Sequence, residues 1–113
     1  MKTDPKAAVR QKQYAQLRAQ LARTGWISEG YVQKRGQGAD GGCYPWTRKV
    51  KGKTVCVALS KEQYAWLKVA IANWRAVQTI LRQMQRLTRE ELFECLPNPK
   101  RRKRLSKKVL GLV

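Results

Sequence analysis

Histidine is absent from the sequence, and acidic residues are scarce, with 7 Asp and Glu against 25 Lys and Arg. Without histidine the chain lacks the commonest general base and metal ligand, so a hydrolytic or metal enzyme is not expected. The 3 cysteines, Cys43, Cys56 and Cys95, are an odd number without a paired spacing, and none has an activating histidine beside it. We therefore predict a reduced protein that is not an enzyme and has no metal and no cofactor.

Long apolar runs are missing as well. The most apolar stretch, residues 64–77, is interrupted by Lys68 and Arg75, and it is shorter than the about 18 apolar residues that cross a bilayer. No apolar stretch follows the first basic residues, as it would in a secretion signal. We expect a cytoplasmic protein without a membrane partner.

The charge is the unusual property of this chain of 113 residues, because its formal net value is +18. Self-repulsion on this scale destabilises a small folded body unless a polyanion supplies the missing negative charge. The cations are spread evenly, and removing the 7 in residues 97–113 still leaves +11. The folded part must therefore be basic itself, which favours nucleic acid as the partner.

The first predicted element is a helix over residues 5–24. Asp4 can cap it, Pro5 suits its first turn, and Gly25 suits its end. Its apolar stripe, Tyr14, Leu17 and Leu21, is narrow, and cations including Arg10 are expected on the remaining surface. This helix needs a partner to be stable.

A β-hairpin gives the strongest local pattern. Residues 44–50 and 53–59 alternate around the two-residue turn Lys51-Gly52, and this register pairs Tyr44, Trp46 and Arg48 with Leu59, Val57 and Val55. All the large apolar side chains then fall on one face, so the apolar pattern agrees with the register that the turn sets. An isolated hairpin is marginal, so residues 30–35 are expected to add a third strand, with a loop at 36–42.

A long helix follows the hairpin. Ser60 and Gln63 have capping-box spacing, and apolar residues follow at helical intervals. This apolar stripe is Tyr64, Leu67, Ile71, Trp74, Val77, Leu81, Met84 and Leu87. A second capping box at Thr88–Glu91 predicts that the helix ends or kinks near Leu87 and restarts briefly, with Glu90, Glu91 and Glu94 suited to the positive end of that short helix. The hairpin is too short to cover the whole of this helix, so the N-terminal helix or a second subunit must cover the remainder.

These elements predict an α+β fold: an N-terminal helix, a three-stranded antiparallel sheet with a tight hairpin, a long C-terminal helix and a basic tail. We expect one domain over 1–96. Pro97 and Pro99 end the long helix, and 97–113 should be a flexible basic tail.

Residues 30–63 contain the short motifs Gly30-Tyr31-Val32, Lys34-Arg35-Gly36, Gly42, Tyr44, Trp46, Gly52-Lys53-Thr54 and Lys61-Glu62. Through these motifs the segment resembles a family of small bacterial proteins of unknown function that are often encoded in or beside transposable elements. The resemblance implies a sheet with a long helix and a role in DNA or RNA transactions of mobile elements. For a basic protein of bacterial origin we expect association with the nucleoid. In that family three cysteines usually lie between the first strand and the hairpin, whereas here only Cys43 lies there. If the cysteines of the family bind a metal, this chain lacks the ligands, so we predict no metal site.

The predicted nucleic-acid-binding residues are cations of three regions. On the long helix, cations every seven residues form a slowly drifting ridge that could follow a phosphate backbone, although a helix pair with cations beside a buried seam has the same pattern. The hairpin and the tail supply the others. The full set is Lys34, Arg35, Arg48, Lys49, Lys51, Lys53, Lys61, Lys68, Arg75, Arg82, Arg86, Arg89, Lys100, Arg101, Arg102, Lys103 and Arg104.

Aromatic residues are the second class of candidates. Trp46 and Trp74 fit the predicted core, whereas Trp66 lies off the apolar stripe and Tyr31 has Lys34 and Arg35 near it. Trp66 and Tyr31 are therefore the better candidates for contact with a partner, for example by stacking on single-stranded bases.

The sequence as a whole favours a nucleic-acid-binding accessory protein of a mobile element that holds DNA or structured RNA for a larger enzyme. One alternative is an adaptor whose long helix pairs with a copy of itself, as a homodimer, or with a transposase. Another is a basic amphipathic binder of membrane surfaces, favoured by Trp66 and Trp74 but disfavoured by the sheet.

Overall fold

The computed structural model describes residues 5–36, 42–96, 98, 100 and 104–113, and it confirms the predicted α+β fold. The chain divides into two compact units. We call Thr24–Val77 the sheet unit, and Met1–Arg23 with Gln78–Val113 the helical unit. The elements are α1 (Pro5–Ala22), β1 (Tyr31–Val32), β2 (Tyr44–Val50), β3 (Lys53–Leu59), α2 (Lys61–Cys95) and α3 (Lys107–Leu110).

The hairpin has the register that the sequence predicted. Strands β2 and β3 are antiparallel, with Tyr44 opposite Leu59 and Trp46 opposite Val57. Lys51 has φ 49° and Gly52 has φ 80°. Positive φ at both central residues defines the type I′ turn, whose twist matches that of the flanking strands, so the turn fixes the register.

The third strand is shorter than predicted. Within residues 30–35, β1 comprises Tyr31 and Val32, which lie opposite Thr47 and Trp46. A single bridge then joins Arg35 to Cys43. Of the predicted loop at 36–42, residues 37–41 lie outside the described part of the chain.

Strand β3 forms one edge of the sheet, whose order is β1-β2-β3. In the described part of the chain it pairs with β2 alone, and most of its residues are exposed. The backbone groups on its outer side therefore have no strand partner there.

The predicted capping box starts α2. The Ser60 amide donates to Gln63 Oε1 at 2.9 Å, and the Gln63 amide donates to Ser60 Oγ at 3.1 Å. These two bonds satisfy backbone donors that a helix start leaves open. In the sheet unit α2 packs on the sheet through Tyr44, which is buried with its ring centroid 4.9 Å from that of Tyr64.

The prediction that the long helix ends or kinks near Leu87 was wrong, because α2 continues without interruption to Cys95. Thr88 does not cap a new helix; its hydroxyl donates to the Met84 carbonyl at 2.9 Å. No glycine or proline interrupts this stretch, and Glu91 and Glu94 are bound by Arg10 of α1. Side-chain contacts therefore stabilise the turns beyond Leu87.

In the helical unit α1 contacts the second half of α2 through Arg10, which binds Glu91 and Glu94. Of the two alternatives that the sequence left open, the first therefore applies to this part of the helix. Helix α1 ends at Ala22 rather than at residue 24, and the capping residue Asp4 lies outside the described residues. Its stripe of Tyr14, Leu17 and Leu21 is half-buried as expected. On α2 the structure buries Ile80 and leaves Leu81 37% exposed, although Leu81 was the residue predicted for the stripe.

The region predicted as a flexible tail contains the short helix α3. The Ser106 side chain accepts from the Val109 amide, and Gly111 closes the turn in the left-handed conformation with φ 74°. Pro97 and Pro99 lie outside the described residues.

Candidate nucleic-acid interface

Three lysines surround the hairpin turn. Lys49 ends β2, Lys51 lies in the turn and Lys53 begins β3, and all three are exposed. The register sets Lys49 opposite Thr54 and Lys53 opposite Val50. Because neighbouring residues of a strand point to opposite faces, the two strand lysines lie on different faces of the sheet. We call Lys49, Lys51 and Lys53 the hairpin tip.

Arg48 differs from the other predicted cations because it is half-buried. Its guanidinium carbon lies 5.0 Å from the centroid of the Trp46 ring, within cation–π range. Among the described residues, its Nε atom is buried without a hydrogen-bond partner. Arg48 is therefore held on the same sheet face as Trp46 rather than presented with the hairpin tip.

Lys34 and Arg35 follow β1, and both are exposed. The Arg35 backbone exchanges two hydrogen bonds with Cys43, of 2.8 and 2.7 Å, and its Nε donates to Gln33 Oε1 at 2.6 Å. These contacts fix the position of Arg35 at the end of the strand.

The predicted cations of α2 are all exposed. In the sheet unit these are Lys61, Lys68 and Arg75, and Lys68 Nζ lies 5.7 Å from the Tyr64 ring centroid. The helix thus presents each of these cations to solvent.

In the helical unit three guanidinium groups bind neighbours on their own helix surface. Arg82 donates to Thr79 Oγ1 at 3.3 Å, Arg89 donates to Gln85 Oε1 at 3.3 Å, and Arg86 pairs with a carboxylate at 3.2 Å. Exposed contacts of this kind contribute little free energy, so a phosphate can replace them.

Of the predicted tail residues, Lys100 and Arg104 are exposed. Arg101, Arg102 and Lys103 lie outside the described residues. The part of the tail that the structure describes therefore presents its predicted cations to solvent.

Arg10 forms a buried ionic cluster that the sequence analysis missed. Its side chain is 7% exposed; Nε donates to Glu91 at 2.9 Å, Nη1 to Glu94 at 2.5 Å and Nη2 to Cys95 Sγ at 3.3 Å. The hydrogen bond to Glu91 and the charges of both carboxylates raise the pKa of Arg10 above its ordinary value. Arg10 therefore stays charged at every working pH and joins α1 to α2.

This cluster corrects two expectations. Arg10 does not lie on the solvent-facing surface of α1, and the two acids bind it rather than the start of a short helix. The signal was present in the sequence, because Arg10 precedes Tyr14 by four residues and Leu17 by seven. These intervals put Arg10 on the same face as the apolar stripe.

The charge excess is present in each unit separately. The sheet unit has nine Lys and Arg against three acids, and the helical unit has sixteen against four. In the helical unit Glu91 and Glu94 are engaged by Arg10, and Glu90 by Arg86. Each unit is thus strongly cationic by itself.

Cys95 should react more slowly with iodoacetamide than Cys43 and Cys56. Desolvation, and then the negative charge of Glu91, raise the pKa of the Cys95 thiol above its usual 9.0, which lowers its thiolate fraction. Peptide mass spectrometry over a time course at mildly alkaline pH measures the three rates. In the variant Glu91→Gln the rate at Cys95 should rise, and an unchanged rate contradicts the assigned contribution of the Glu91 charge.

Three aromatic side chains of the sheet unit are strongly exposed. Trp66 is 59% exposed and Tyr31 52%, and both were predicted as partner contacts. Trp26, which the sequence analysis did not single out, is 77% exposed, and its ring centroid lies 6.5 Å from that of Trp66. Trp46 and Trp74, which the sequence assigned to the core, are half-buried.

Within the described residues there is no group of three Cys, Asp or Glu side chains that could hold a metal ion. No helix in that part of the chain combines the length and apolarity needed to span a bilayer.

No protein-family model, curated protein or solved structure matches this chain. The resemblance to proteins encoded beside transposable elements therefore stays a prediction.

Proposed function

We propose that this protein binds nucleic acid through its basic surfaces and has no catalytic activity of its own. The observation that supports this most is the charge excess within each of the two units. A cationic tail is a common addition to proteins with other functions, but here the sheet unit, which does not include the tail, has its own excess of nine cations against three acids. A polyanion is the partner that relieves this repulsion in both units.

The affinity comes mainly from contacts with phosphate. Lysines and arginines displace the counterions condensed on the nucleic acid, and the release of these ions drives binding. The hairpin tip presents three such cations on one tight turn. Phosphate contacts of this kind position a protein on its ligand without reading the sequence.

The proposed biological role is that of an accessory factor in a mobile genetic element, which holds DNA or structured RNA or delivers it to a transposase-like enzyme. This part rests on the resemblance of residues 30–63. Its test is co-purification from cells with and without nuclease, followed by identification of the nucleic acid and of any enzyme that remains bound.

The affinity for nucleic acid should fall steeply with salt. On duplex DNA, log K is expected to fall with log salt at a slope of about −0.9 for each phosphate contacted. The triple variant Lys49→Gln, Lys51→Gln, Lys53→Gln should weaken binding and make this slope shallower by up to about 2.7. Filter binding across a salt series measures both quantities.

A charge-matched control distinguishes binding at the hairpin tip from the effect of the overall charge. The variant Lys12→Gln, Arg18→Gln, Arg23→Gln removes three exposed cations that are not among the predicted binding residues. The hairpin-tip variant should lose more affinity than this control. Wild-type binding that ignores salt contradicts the proposed function, whereas equal losses in the two variants contradict only the assignment to the hairpin tip.

A second candidate function is an oligomerising adaptor, favoured by exposed apolar residues at the end of α2. Leu92 is 44% exposed, Phe93 37% and Leu96 66%. Leu92 and Leu96 line a groove of about 580 Å³ with Tyr14 and Leu87. A second copy of the chain packed there would bury this surface, so sedimentation of the nucleic-acid-free protein tests it: a monomer at all concentrations excludes the homodimeric form.

A further inference from the structure

Two tryptophans of the sheet unit form an exposed aromatic surface. Trp26 and Trp66 are 77% and 59% exposed, their ring centroids are 6.5 Å apart, and their planes are tilted by 43°. This tilt is far from a parallel stack, so the two rings do not cover each other's faces. We call these two residues the tryptophan platform.

The platform is held in place by the backbone beside it. The Asn73 side chain donates to the Trp26 carbonyl at 2.9 Å, and the Ser28 amide donates to the Ala70 carbonyl at 3.2 Å. Gly25 approaches the same asparagine so closely that a Cβ atom there would lie 3.3 Å from Asn73 Nδ2. The segment that carries Trp26 is thus attached to α2, which reduces the entropy lost when a ligand binds.

Trp66 also forms one wall of a shallow groove of about 380 Å³. Trp46 also lines this groove, and its Nε1 donates to the Glu29 carbonyl at 3.2 Å, so this ring is fixed as well. Arg48 lies against the Trp46 ring. The other lining residues are Leu59, Glu62, Gln63 and Leu67.

We infer that the sheet unit binds single-stranded nucleic acid by stacking unpaired bases on Trp26 and Trp66, an inference that rests on the proposed nucleic-acid function. Exposed flat aromatic rings stack on any base, because every base has a π-face. In a duplex these faces are already covered by neighbouring bases, so the platform distinguishes single strands from duplexes.

The charge of the sheet unit favours an anionic occupant of this surface. The sheet unit has nine cations against three acids, which fits a ligand that combines flat apolar bases with a phosphate backbone. A membrane surface is also anionic and also accepts tryptophan at its interface. We favour the nucleic acid because the exposed rings belong to a sheet unit rather than to an isolated amphipathic helix.

The test compares an oligothymidylate with a blunt-ended duplex at one fixed salt concentration. Trp66→Ala and Trp26→Ala should each weaken binding of the single strand about tenfold, with little change for the duplex. Trp66→Phe retains a ring and should restore most of the affinity. Phe93→Ala, which truncates an exposed aromatic residue in the helical unit, is the matched control and should bind like the wild type.

The outcomes separate this inference from the proposed function. If the wild type binds neither nucleic acid, the proposed function fails. If it binds both, and Trp66→Ala weakens neither or weakens both equally, the function stands and the platform is wrong. Binding to vesicles of phosphatidylglycerol that depends on Trp66, without a single-strand preference, also overturns it. Circular dichroism melting of each variant verifies that the fold is intact.

Discussion

Replacing Glu91 and Glu94 together by alanine should lower the melting temperature by on the order of 10 °C, and by more than replacing Arg10 by methionine. The reason is the unequal exposure of the partners. The Arg10 side chain is 7% exposed, whereas those of Glu91 and Glu94 are each 45% exposed. Without Arg10 the carboxylates can return to water, but without the carboxylates a buried guanidinium keeps its charge and has lost those partners.

Circular dichroism melting of three variants tests this asymmetry. The triple variant Arg10→Met, Glu91→Ala, Glu94→Ala should melt above the double alanine variant, because the buried charge is gone. Glu90→Ala is the control: its partner Arg86 is 61% exposed, so the loss should be small. A lower melting temperature for Arg10→Met than for the double alanine variant would refute the explanation.

Replacing Gly30 by alanine should destabilise the sheet unit by about 3 kcal/mol, from backbone strain and overpacking together. Gly30 has φ 112°, a conformation that L side chains rarely adopt. A Cβ atom there would overlap Trp46 Nε1 and would lie 2.9 Å from the Thr47 carbonyl oxygen. The Trp46 ring must then move away from Glu29, whose carbonyl accepts a hydrogen bond from Trp46 Nε1 at 3.2 Å.

Gly52→Ala separates strain from overlap. Gly52 has φ 80°, but a Cβ atom there would meet nothing within 4 Å. The variant Gly52→Ala should therefore lose only about 1 kcal/mol of unfolding free energy, from backbone strain alone. Urea unfolding followed by tryptophan fluorescence measures both variants. Equal losses would mean that the Trp46 ring moves aside without cost, and the overlap would then contribute nothing.

The hairpin and the start of α2 could be predicted from the sequence because local chemistry determines both. A two-residue turn with glycine fixes which residues face each other, and Ser60 and Gln63 satisfy each other's backbone donors within four residues. The positions of most predicted cations on exposed surface also follow from local patterns, since lysine and arginine seldom lose contact with water.

The continuation of α2 and the burial of Arg10 depend on contacts between residues far apart in the chain. Thr88 resembles a capping residue locally, but Arg10 binds Glu91 and Glu94 from more than 80 positions away. No local pattern reports such a pairing. Trp26 was missed for the same reason, because its position depends on hydrogen bonds from the segment 25–28 to α2.

In the described part of the chain the outer side of β3 has no strand partner, and this affects how the protein should be handled in solution. A row of unpaired backbone donors and acceptors can recruit the same strand of another molecule, and this leads to aggregation. At low ionic strength the net charge of +18 keeps copies of the chain apart. Concentrated salt, which strips nucleic acid from basic proteins, shortens the screening length to about 3 Å at 1 M and removes that protection. The high-salt step that removes nucleic acid during purification should therefore be carried out with dilute protein.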